Sequence, residues 1–263
     1  MSTHEAVIKN ETLPANTTVR SEEGARYYQE DRYVVEELCV DDRHLPILAV
    51  MDGHGGEKVS ELAKTTLVEL LRRGIENADG NITASLSSAV EALNDNTRSM
   101  RAGSTLSLVV VDRENMRAHV AILGDSPVII QSDKPDLNIS PDHNAISNPV
   151  ERNAAIARGA EFDGMYLIDP SSGSGLQMAR ALGDCSLDSF LSREPEVYEV
   201  GLNYESFIVV ASDGVIDPAH ETTEEEIERL VKMVAEGASA SDLVEDAIKR
   251  QTGDNVTAIV WRA

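Results

Sequence analysis

Apolar residues along this chain follow two spacings, and each spacing predicts a different kind of element. Short apolar runs predict strands, whereas apolar residues at every third or fourth position predict helices. Strands are expected at residues 17–20, 32–40, 47–51, 106–111, 118–123, 128–131, 207–211 and 256–261, with 166–168 as a further candidate. Helices are expected at residues 57–73, 86–100, 222–235 and 240–251, with a short one that ends at residue 158.

The order of these elements predicts the fold class. Between residues 106 and 131, three strands follow one another with only short turns between them, an order typical of antiparallel sheets. Elsewhere, strands and helices come in blocks rather than in strict alternation. We therefore expect an α+β fold in which antiparallel sheets are covered by helices. Residues 1–15 are polar and unpatterned, which predicts a disordered N-terminal tail before a single domain at 16–263.

Composition narrows the range of partners. The 263 residues include 41% hydrophobic ones, enough for a globular core. A net charge of −23 argues against nonspecific nucleic-acid binding and against docking on an anionic membrane. Part of this charge is solvated surface, as in residues 221–228. The two cysteines, Cys39 and Cys185, together with the absence of a signal peptide or membrane span, predict a cytoplasmic protein.

The stretch at residues 47–56 contains the first candidate chemistry. A buried strand is expected to end at Asp52, and glycines surround His54 in the loop that follows. A loop with so little side-chain bulk allows a ligand to approach the backbone. The simpler interpretation is a tight turn from strand to helix. A dinucleotide-binding fingerprint fits badly, because Lys58 stands at the position of its third glycine.

Carboxylates recur at strand ends or in adjoining turns. They are Glu30 with Asp31, then Asp52, Asp125, Asp213 and Asp254. A single acidic turn does not indicate a site. Several carboxylates gathered at the edge of one β core, however, would repel each other unless cations neutralised their charge. A set of oxygen ligands suits Mg²⁺ or Mn²⁺ rather than zinc. The sequence lacks the Cys and Arg spacing of cysteine phosphatases and the Gly-x-Ser-x-Gly motif of serine hydrolases.

Taken in order, short motifs across the chain resemble one family. The motifs are Arg26-x3-Glu30-Asp31, Asp52-Gly53-His54-Gly55-Gly56, Gly103-Ser104-Thr105, Gly124-Asp125-Ser126, Asp142-His143, Glu151-Arg152, Ala179-Arg180-Ala181-Leu182-Gly183-Asp184, Ser212-Asp213-Gly214-x2-Asp217 and Gly253-Asp254-Asn255-x-Thr257. This set resembles the metal-dependent Ser/Thr protein phosphatases of type 2C, from about Arg20 to Trp261. The short chain, without fused domains, resembles bacterial or phage members more than the larger eukaryotic ones.

The resemblance implies a fold and a reaction. The expected fold is a β-sandwich of two antiparallel sheets flanked by pairs of helices. The expected reaction is hydrolysis of phosphoserine and phosphothreonine in protein substrates, by direct attack of a hydroxide that bridges two Mn²⁺ or Mg²⁺ ions. We expect a monomer that binds neither nucleic acid nor membrane.

The resemblance also implies site residues. Asp52 is expected to bridge the two ions with the Gly53 carbonyl as a further ligand, while Asp31, Asp213 and Asp254 bind one ion and Glu30 acts through a water. Asp125 and Asp217 match positions that bind a third metal in some members. Arg26 is expected to hold the substrate phosphate and His54 to protonate the leaving oxygen. Arg180 and Asp184 are expected to be structural, as a buried ion pair, and Asn255 to support the turn.

Some positions depart from the family pattern. Pro127, Asn144 and Ala179 stand where arginine, lysine and serine are common, and none of the three is an expected main metal ligand. Residues 144–175 correspond to the variable flap, where substrate preference is expected to be set. Two alternatives stay open at this stage: a catalytically silent pseudophosphatase that serves as a binding module, and a hydrolase of small phosphoesters.

Overall fold

The computed structural model describes residues 13–40, 42–132, 137–216 and 223–263. The strands are β1 (Thr17–Glu22), β2 (Arg32–Val40), β3 (Arg43–Met51), β4 (Gly53–His54), β5 (Gly103–Ser104), β6 (Leu106–Asp112), β7 (Arg117–Leu123), β8 (Val128–Gln131), β9 (Leu137–Ile139), β10 (Glu161–Phe162), β11 (Leu167–Ile168), β12 (Gly175–Leu176), β13 (Leu182–Gly183), β14 (Glu196–Gly201), β15 (Phe207–Ala211) and β16 (Val256–Arg262). The helices are α1 (Lys58–Asn77), α2 (Ile82–Thr97), α3 (Pro149–Arg158), α4 (Thr223–Ala235) and α5 (Ala240–Lys249).

Two antiparallel sheets form the centre of the domain. One sheet has the strand order β14-β7-β6-β3-β2, and the other has the order β1-β16-β15-β8-β9. Helices α1 and α2 pack on the outer face of the first sheet, and α4 and α5 pack on the outer face of the second. The prediction of a sandwich flanked by helix pairs is confirmed.

Strand β3 illustrates how burial on both faces produces a continuous apolar run. Ile47, Ala49 and Met51 point toward α1 and α2, while Leu48 and Val50 point into the layer between the two sheets. Because successive side chains of a strand alternate between faces, a strand covered on both sides has no polar face. The apolar run at 47–51 follows directly from this position.

The helix boundaries follow from local chemistry. The Asn81 side chain accepts a hydrogen bond from the Ala84 amide at the start of α2, at 3.0 Å. Asn148 caps α3 in the same way, and Pro149 occupies the first turn. A capping box formed by Ser239 and Asp242 begins α5. Such caps satisfy backbone amides that have no partner within the helix.

The predicted strands and helices are confirmed in type, with ends that shift by a few residues. Sequence analysis missed several strands, of which β14 is the longest. This strand pairs with β7 at the edge of its sheet, and its side chains are half-buried or exposed. Since an edge strand with little buried surface carries a weak apolar pattern, its pairing rather than its composition defines it.

Other predictions concern the ends and the flap. Residues 1–12 of the predicted disordered tail lie outside the described residues. Pro14, which also falls within the predicted tail, is buried in the structure. The flap contains α3 and the small sheet β10-β11-β12, which share an apolar cluster that includes Phe190. No helix in the described part of the chain has both the length and the apolar character needed to cross a membrane.

Candidate metal centre

Five aspartates lie at one edge of the sandwich. Asp31 precedes β2, Asp52 follows β3, Asp125 follows β7, Asp213 follows β15, and Asp254 precedes β16. The register explains this convergence, because the start of β2 pairs with the end of β3 and the end of β15 pairs near the start of β16. Antiparallel neighbours therefore bring residues that are distant in sequence to the same end of both sheets.

The aspartates lie close enough to repel each other, with Asp31 buried and the other four half-buried. Burial, followed by repulsion from Asp125 and Asp254, raises the pKa of Asp213 to about 8. Burial and the neighbouring carboxylates of Asp213 and Asp31 raise the pKa of Asp52 well above its usual range. Burial is also the main reason why the pKa values of Asp31 and Asp125 rise to about 6. The edge therefore favours neutralisation by protons or by cations.

Three carboxylate oxygens at this edge have no protein partner. Within the described part of the chain, Asp31 Oδ1, Asp125 Oδ1 and Asp213 Oδ1 are buried without a hydrogen bond. A buried polar atom without a partner costs free energy, so these oxygens need a ligand. Since all the donors are carboxylate oxygens, the residues fit a hard divalent cation such as Mg²⁺ or Mn²⁺.

Asp31 is fixed by residues of the opposite sheet. Its Oδ2 accepts hydrogen bonds from the hydroxyls of Ser212 at 2.8 Å and of Thr257 at 2.7 Å. These bonds join the first sheet to β15 and β16. The other oxygen of the carboxylate, Oδ1, takes part in neither bond. Both residues belong to the quoted motifs, but nothing in those motifs indicates which carboxylate they hold.

The backbone around Asp52 is held by the glycine-rich motifs. Its amide donates to Thr105 Oγ1 at 3.0 Å, and its carbonyl accepts from the Thr105 amide at 2.9 Å. The hydroxyl of Thr105 in turn lies 2.8 Å from that of Ser126. At Gly53, a Cβ atom would lie 2.6 Å from the Glu30 carbonyl oxygen, so only glycine allows this close approach.

Glu30 and Asn255 join the two loops of the site. Glu30 Oε1 accepts a hydrogen bond from the Gly56 amide at 2.6 Å. The Asn255 side chain accepts from the Glu30 amide and donates to the carbonyls of Glu23 and Tyr28, each at 2.9 Å. Asn255 therefore positions the loop that carries Arg26 and Glu30.

Arg26 lies beside the acidic edge. Its Nη2 donates to Asp254 Oδ2 at 2.6 Å, and its Nε donates to the Gly253 carbonyl at 3.1 Å. The side chain is 53% exposed. An arginine that is fixed on one side and open to solvent on the other can bind an anion at the edge of the site.

His54 and Asp184 contact each other, with 2.7 Å between Nε2 and Oδ2. The expected ion pair of Arg180 with Asp184 is wrong. Arg180 instead binds Glu151, at 2.5 Å from Nη2 to Oε1 and 3.0 Å from Nε to Oε2. Arg180 lies on the flap side of the domain, and its planar guanidinium donates to both oxygens of the Glu151 carboxylate.

Glu151 also belongs to a second cluster of side chains of the types that bind metal ions. His143, Glu151 and Glu196 have atoms close enough together to hold an ion. However, Arg180 Nη2 lies 2.5 Å from Glu151 Oε1 and 3.4 Å from Glu196 Oε1. Because the guanidinium already compensates both carboxylates, we interpret this cluster as structural.

A cavity of about 380 Å³ lies next to the acidic edge. Its lining includes Asp125, Asp142, Asn144 and Asp213. Asn144 Nδ2 donates to Asp125 Oδ2 at 2.9 Å, so the residue that departs from the family pattern supports a candidate third-metal carboxylate. Asp217, the other candidate for that metal, lies outside the described residues.

Comparison with known proteins identifies the family. The sequence model of the family Protein phosphatase 2C matches residues 18–256. The chain belongs to the protein phosphatase 2C family. It therefore carries a metal-dependent Ser/Thr phosphatase domain.

Individual members of the family are similar over most of this chain. "Probable protein phosphatase 2C 45" of Oryza sativa subsp. japonica is 30% identical over 248 residues, which cover 92% of this chain and 85% of the rice protein. "Probable protein phosphatase 2C 52" of the same species is also 30% identical, over 90% of this chain but only 48% of the rice protein. The chain thus spans about half the length of one rice relative and most of the other.

A solved structure shares the fold. The catalytic domain of the serine/threonine protein phosphatase PstP, in complex with two manganese ions, is 23% identical with a TM-score of 0.58. The alignment covers 94% of this chain and 96% of that one. At this level of identity the comparison concerns the fold alone, and the site must be argued from the residues of this chain.

Proposed function

We propose that this chain hydrolyses phosphoserine and phosphothreonine in proteins with the acidic edge as its active site. The observation that carries this proposal is the set of buried carboxylate oxygens without partners at the strand ends. The proposal includes a monomeric cytoplasmic domain. The net charge of −23 supports the further proposal that the chain does not bind nucleic acid or an anionic membrane. The activity and the substrates of the full-length protein form part of the proposal.

The proposed metal ligands are the residues of the acidic edge. Asp52 lies at its centre, since it interacts electrostatically with Asp213, Asp31, Asp125 and Asp254. We assign two Mn²⁺ or Mg²⁺ ions to these residues, with the Gly53 carbonyl as a further ligand and with Glu30 acting through water. When bound, two such ions offset the carboxylate charge and supply an activated water and charge stabilisation for phosphoryl transfer. Asp125 and Asp217 are the proposed residues for a third ion.

Arg26 and His54 are the proposed groups that act on the substrate. Arg26 holds the phosphate while Asp254 and Gly253 fix the other side of its guanidinium. His54 gives a proton to the Ser or Thr oxygen as the bond from phosphorus to that oxygen breaks. This proton matters because an alkoxide is a poor leaving group. The flap at residues 144–175 is the proposed determinant of substrate preference.

The test measures hydrolysis of a phosphothreonine peptide, of p-nitrophenyl phosphate and of a small alkyl phosphate such as glycerol phosphate. Each substrate is assayed with Mn²⁺, with Mg²⁺ and with EDTA. We expect turnover on the peptide and on p-nitrophenyl phosphate with either metal, and a loss of at least about 10³-fold with EDTA. Readdition of Mn²⁺ should restore the rate.

Other outcomes favour the alternatives. Turnover on glycerol phosphate that exceeds turnover on the peptide would favour a hydrolase of small phosphoesters. A folded protein that binds Mn²⁺ by calorimetry but hydrolyses none of the three substrates would favour a pseudophosphatase. Activity that survives EDTA and extensive dialysis would contradict the proposed metal chemistry.

Replacing Arg26 with alanine is expected to lower kcat/KM by about 10- to 100-fold on both the peptide and p-nitrophenyl phosphate. The loss should be similar for both substrates, because the phosphate is the group they share. Arg20→Ala is the matched control, since Arg20 is 51% exposed and pairs with a carboxylate, Glu22, away from the site. An unchanged kcat/KM in Arg26→Ala would rule out phosphate binding by this residue.

A further inference from the structure

Three short strands bring His54 and Asp184 together. Strands β4, β5 and β13 form a small sheet in the order β13-β5-β4. Within it, Gly103 pairs with His54 on one side and with Gly183 on the other. Asp184 directly follows Gly183, and its Oδ2 lies 2.7 Å from His54 Nε2. This contact joins residues 130 positions apart in the chain.

The backbone at Asp184 adopts a conformation that is unusual for a residue with a side chain. Its φ of 51° and ψ of 48° lie in the left-handed region, which costs roughly 1–2 kcal/mol for most residues and less for Asp. The Asp184 amide donates to the Ala102 carbonyl at 3.0 Å, and the Cys185 amide donates to the Met100 carbonyl at 2.9 Å. These bonds hold the carboxylate toward the histidine despite the unfavourable dihedral angles.

Gly103 leaves the space that the contact occupies. A Cβ atom at this position would lie 2.0 Å from Asp184 Oδ2 and 2.2 Å from His54 Nε2. Real side chains essentially never approach other atoms so closely. The glycine of the Gly103-Ser104-Thr105 motif is therefore needed for the contact between the two side chains, and not only for the path of the backbone.

The carboxylate of Asp184 is directed to His54 alone. Among the described residues, His54 is the hydrogen-bond and ion-pair partner of this carboxylate, which is only 8% exposed. Arg180, the nearest arginine in sequence, binds Glu151 instead. His54 also interacts electrostatically with Asp125, which places its ring next to the acidic edge. Among the described residues, none forms a hydrogen bond with Nδ1 of His54.

We propose that Asp184 is a positioning residue for the dephosphorylation reaction. It accepts a hydrogen bond from Nε2 of His54, which fixes the ring orientation and keeps a proton on Nε2. Nδ1 is then the nitrogen that faces the substrate. In this step the ring of His54 carries a proton on each nitrogen. As the P–O bond breaks, its electron pair stays on the Ser or Thr oxygen, this oxygen takes the proton from Nδ1, and the neutral ring that remains keeps its proton on Nε2. The inference rests on the proposed function, because it assigns a supporting role to that same site.

The first test compares leaving groups. Asp184→Asn keeps the shape of the side chain and suits left-handed dihedral angles. We expect it to lower kcat on the phosphothreonine peptide by about 30-fold, a part of the 10²- to 10⁴-fold typical of acid–base catalysis. On p-nitrophenyl phosphate, whose leaving group needs no proton, kcat should stay within about three-fold. KM should change by less than about two-fold on either substrate.

The second test is a double-mutant cycle. Because Asp184 acts through His54, adding Asp184→Asn to His54→Ala should change kcat on the peptide by less than about two-fold. Asp188→Asn is the matched control, since Asp188 lies four residues further along and its carboxylate is 44% exposed and paired with Arg193. This control should match the wild type on both substrates.

The third test does not depend on activity. Nitrogen-15 chemical shifts of the metal-free protein at one fixed pH report which ring nitrogen of His54 carries the proton, and His54→Gln assigns the signal. In the neutral form of the ring, which is the form left after the proton transfer, we expect the proton on Nε2 in the wild type and a mixture of tautomers in Asp184→Asn. Melting curves check that both variants are folded.

Several outcomes would overturn the inference. An equal loss on both substrates, a further loss in the double variant, or an unchanged tautomer in Asp184→Asn would each contradict a positioning role. A wild type without turnover on any substrate would instead refute the proposed function, and the role assigned to Asp184 with it. If the wild type is active but the Asp184→Asn variants give any of the contrary results above, the positioning role of Asp184 is refuted and the proposed function stands.

Discussion

Replacing Asp213 with asparagine is expected to have two opposite effects in one protein. With Mn²⁺ present, kcat/KM on the phosphothreonine peptide should fall by at least about 10³-fold, because a carboxylate proposed to bind metal is lost. In EDTA at pH 8, the melting temperature should instead rise, by about 5 °C. The second effect follows because the substitution removes a buried charge from a crowded site.

The sign of the stability effect follows from the pKa. The folded protein raises the pKa of Asp213 from 3.8 to about 8. The unfolded chain therefore loses this proton at lower pH than the folded one, so the metal-free protein loses stability as the pH rises from about 4 to about 8. Asp213→Asn should flatten this decline. Since cations bind the ionised carboxylate, the stabilisation of the wild type by Mn²⁺ should grow over the same range.

Melting curves at pH 5 to 8, with EDTA and with Mn²⁺, check this prediction, together with calorimetric titration of Mn²⁺. Asp79→Asn is the control, because Asp79 is exposed and lies outside the acidic edge. It removes the same charge and should change neither turnover nor the pH dependence of stability. A lower metal-free melting temperature in Asp213→Asn, or unchanged binding of Mn²⁺, would contradict the assignment of Asp213 to the metal centre.

Glu226→Ala is expected to destabilise the domain by about 3–5 kcal/mol, or roughly 10 °C in melting temperature. Glu226 lies in α4, and its side chain is fully buried between Arg229 and Arg250. Asp246 of α5 binds the same two arginines. Loss of the buried carboxylate removes one acidic partner from each of two partly buried guanidinium groups, and the pairing of α4 with α5 weakens.

Chemical denaturation with an unchanged m-value would measure this cost directly. Glu228→Ala in the same helix is the matched control, because Glu228 is exposed and surface substitutions rarely exceed about 0.5 kcal/mol. If Glu226→Ala were as stable as this control, the network would contribute nothing to stability. The metal-dependent activity of the folded Glu226→Ala fraction should be retained.

Much of the fold could be predicted from local patterns. The apolar run at 47–51 and the helical spacing of α1 reflect burial that the sequence must encode, because each buried position needs an apolar side chain. Strand β14 could not be predicted in this way. Its side chains are largely accessible, so the strand exists because its backbone pairs with β7.

The candidate site also has features that can be predicted from local patterns and features that cannot. Residue type and spacing are enough to show which carboxylates end the strands, since Asp52 and Asp213 stand where apolar runs stop and glycines begin. The order of short motifs is likewise enough to indicate the family. These features are local in the chain and can be read from residue type and spacing.

Which of these residues meet depends on the three-dimensional fold. Arg180 and Asp184 lie four positions apart and are expected to pair, yet Arg180 binds Glu151 and Asp184 binds His54. Partners of this kind are set by strand register and by the space that Gly103 leaves. The physical reason is that the energy of a polar contact depends on distance and burial in three dimensions, neither of which is a property of one segment of sequence.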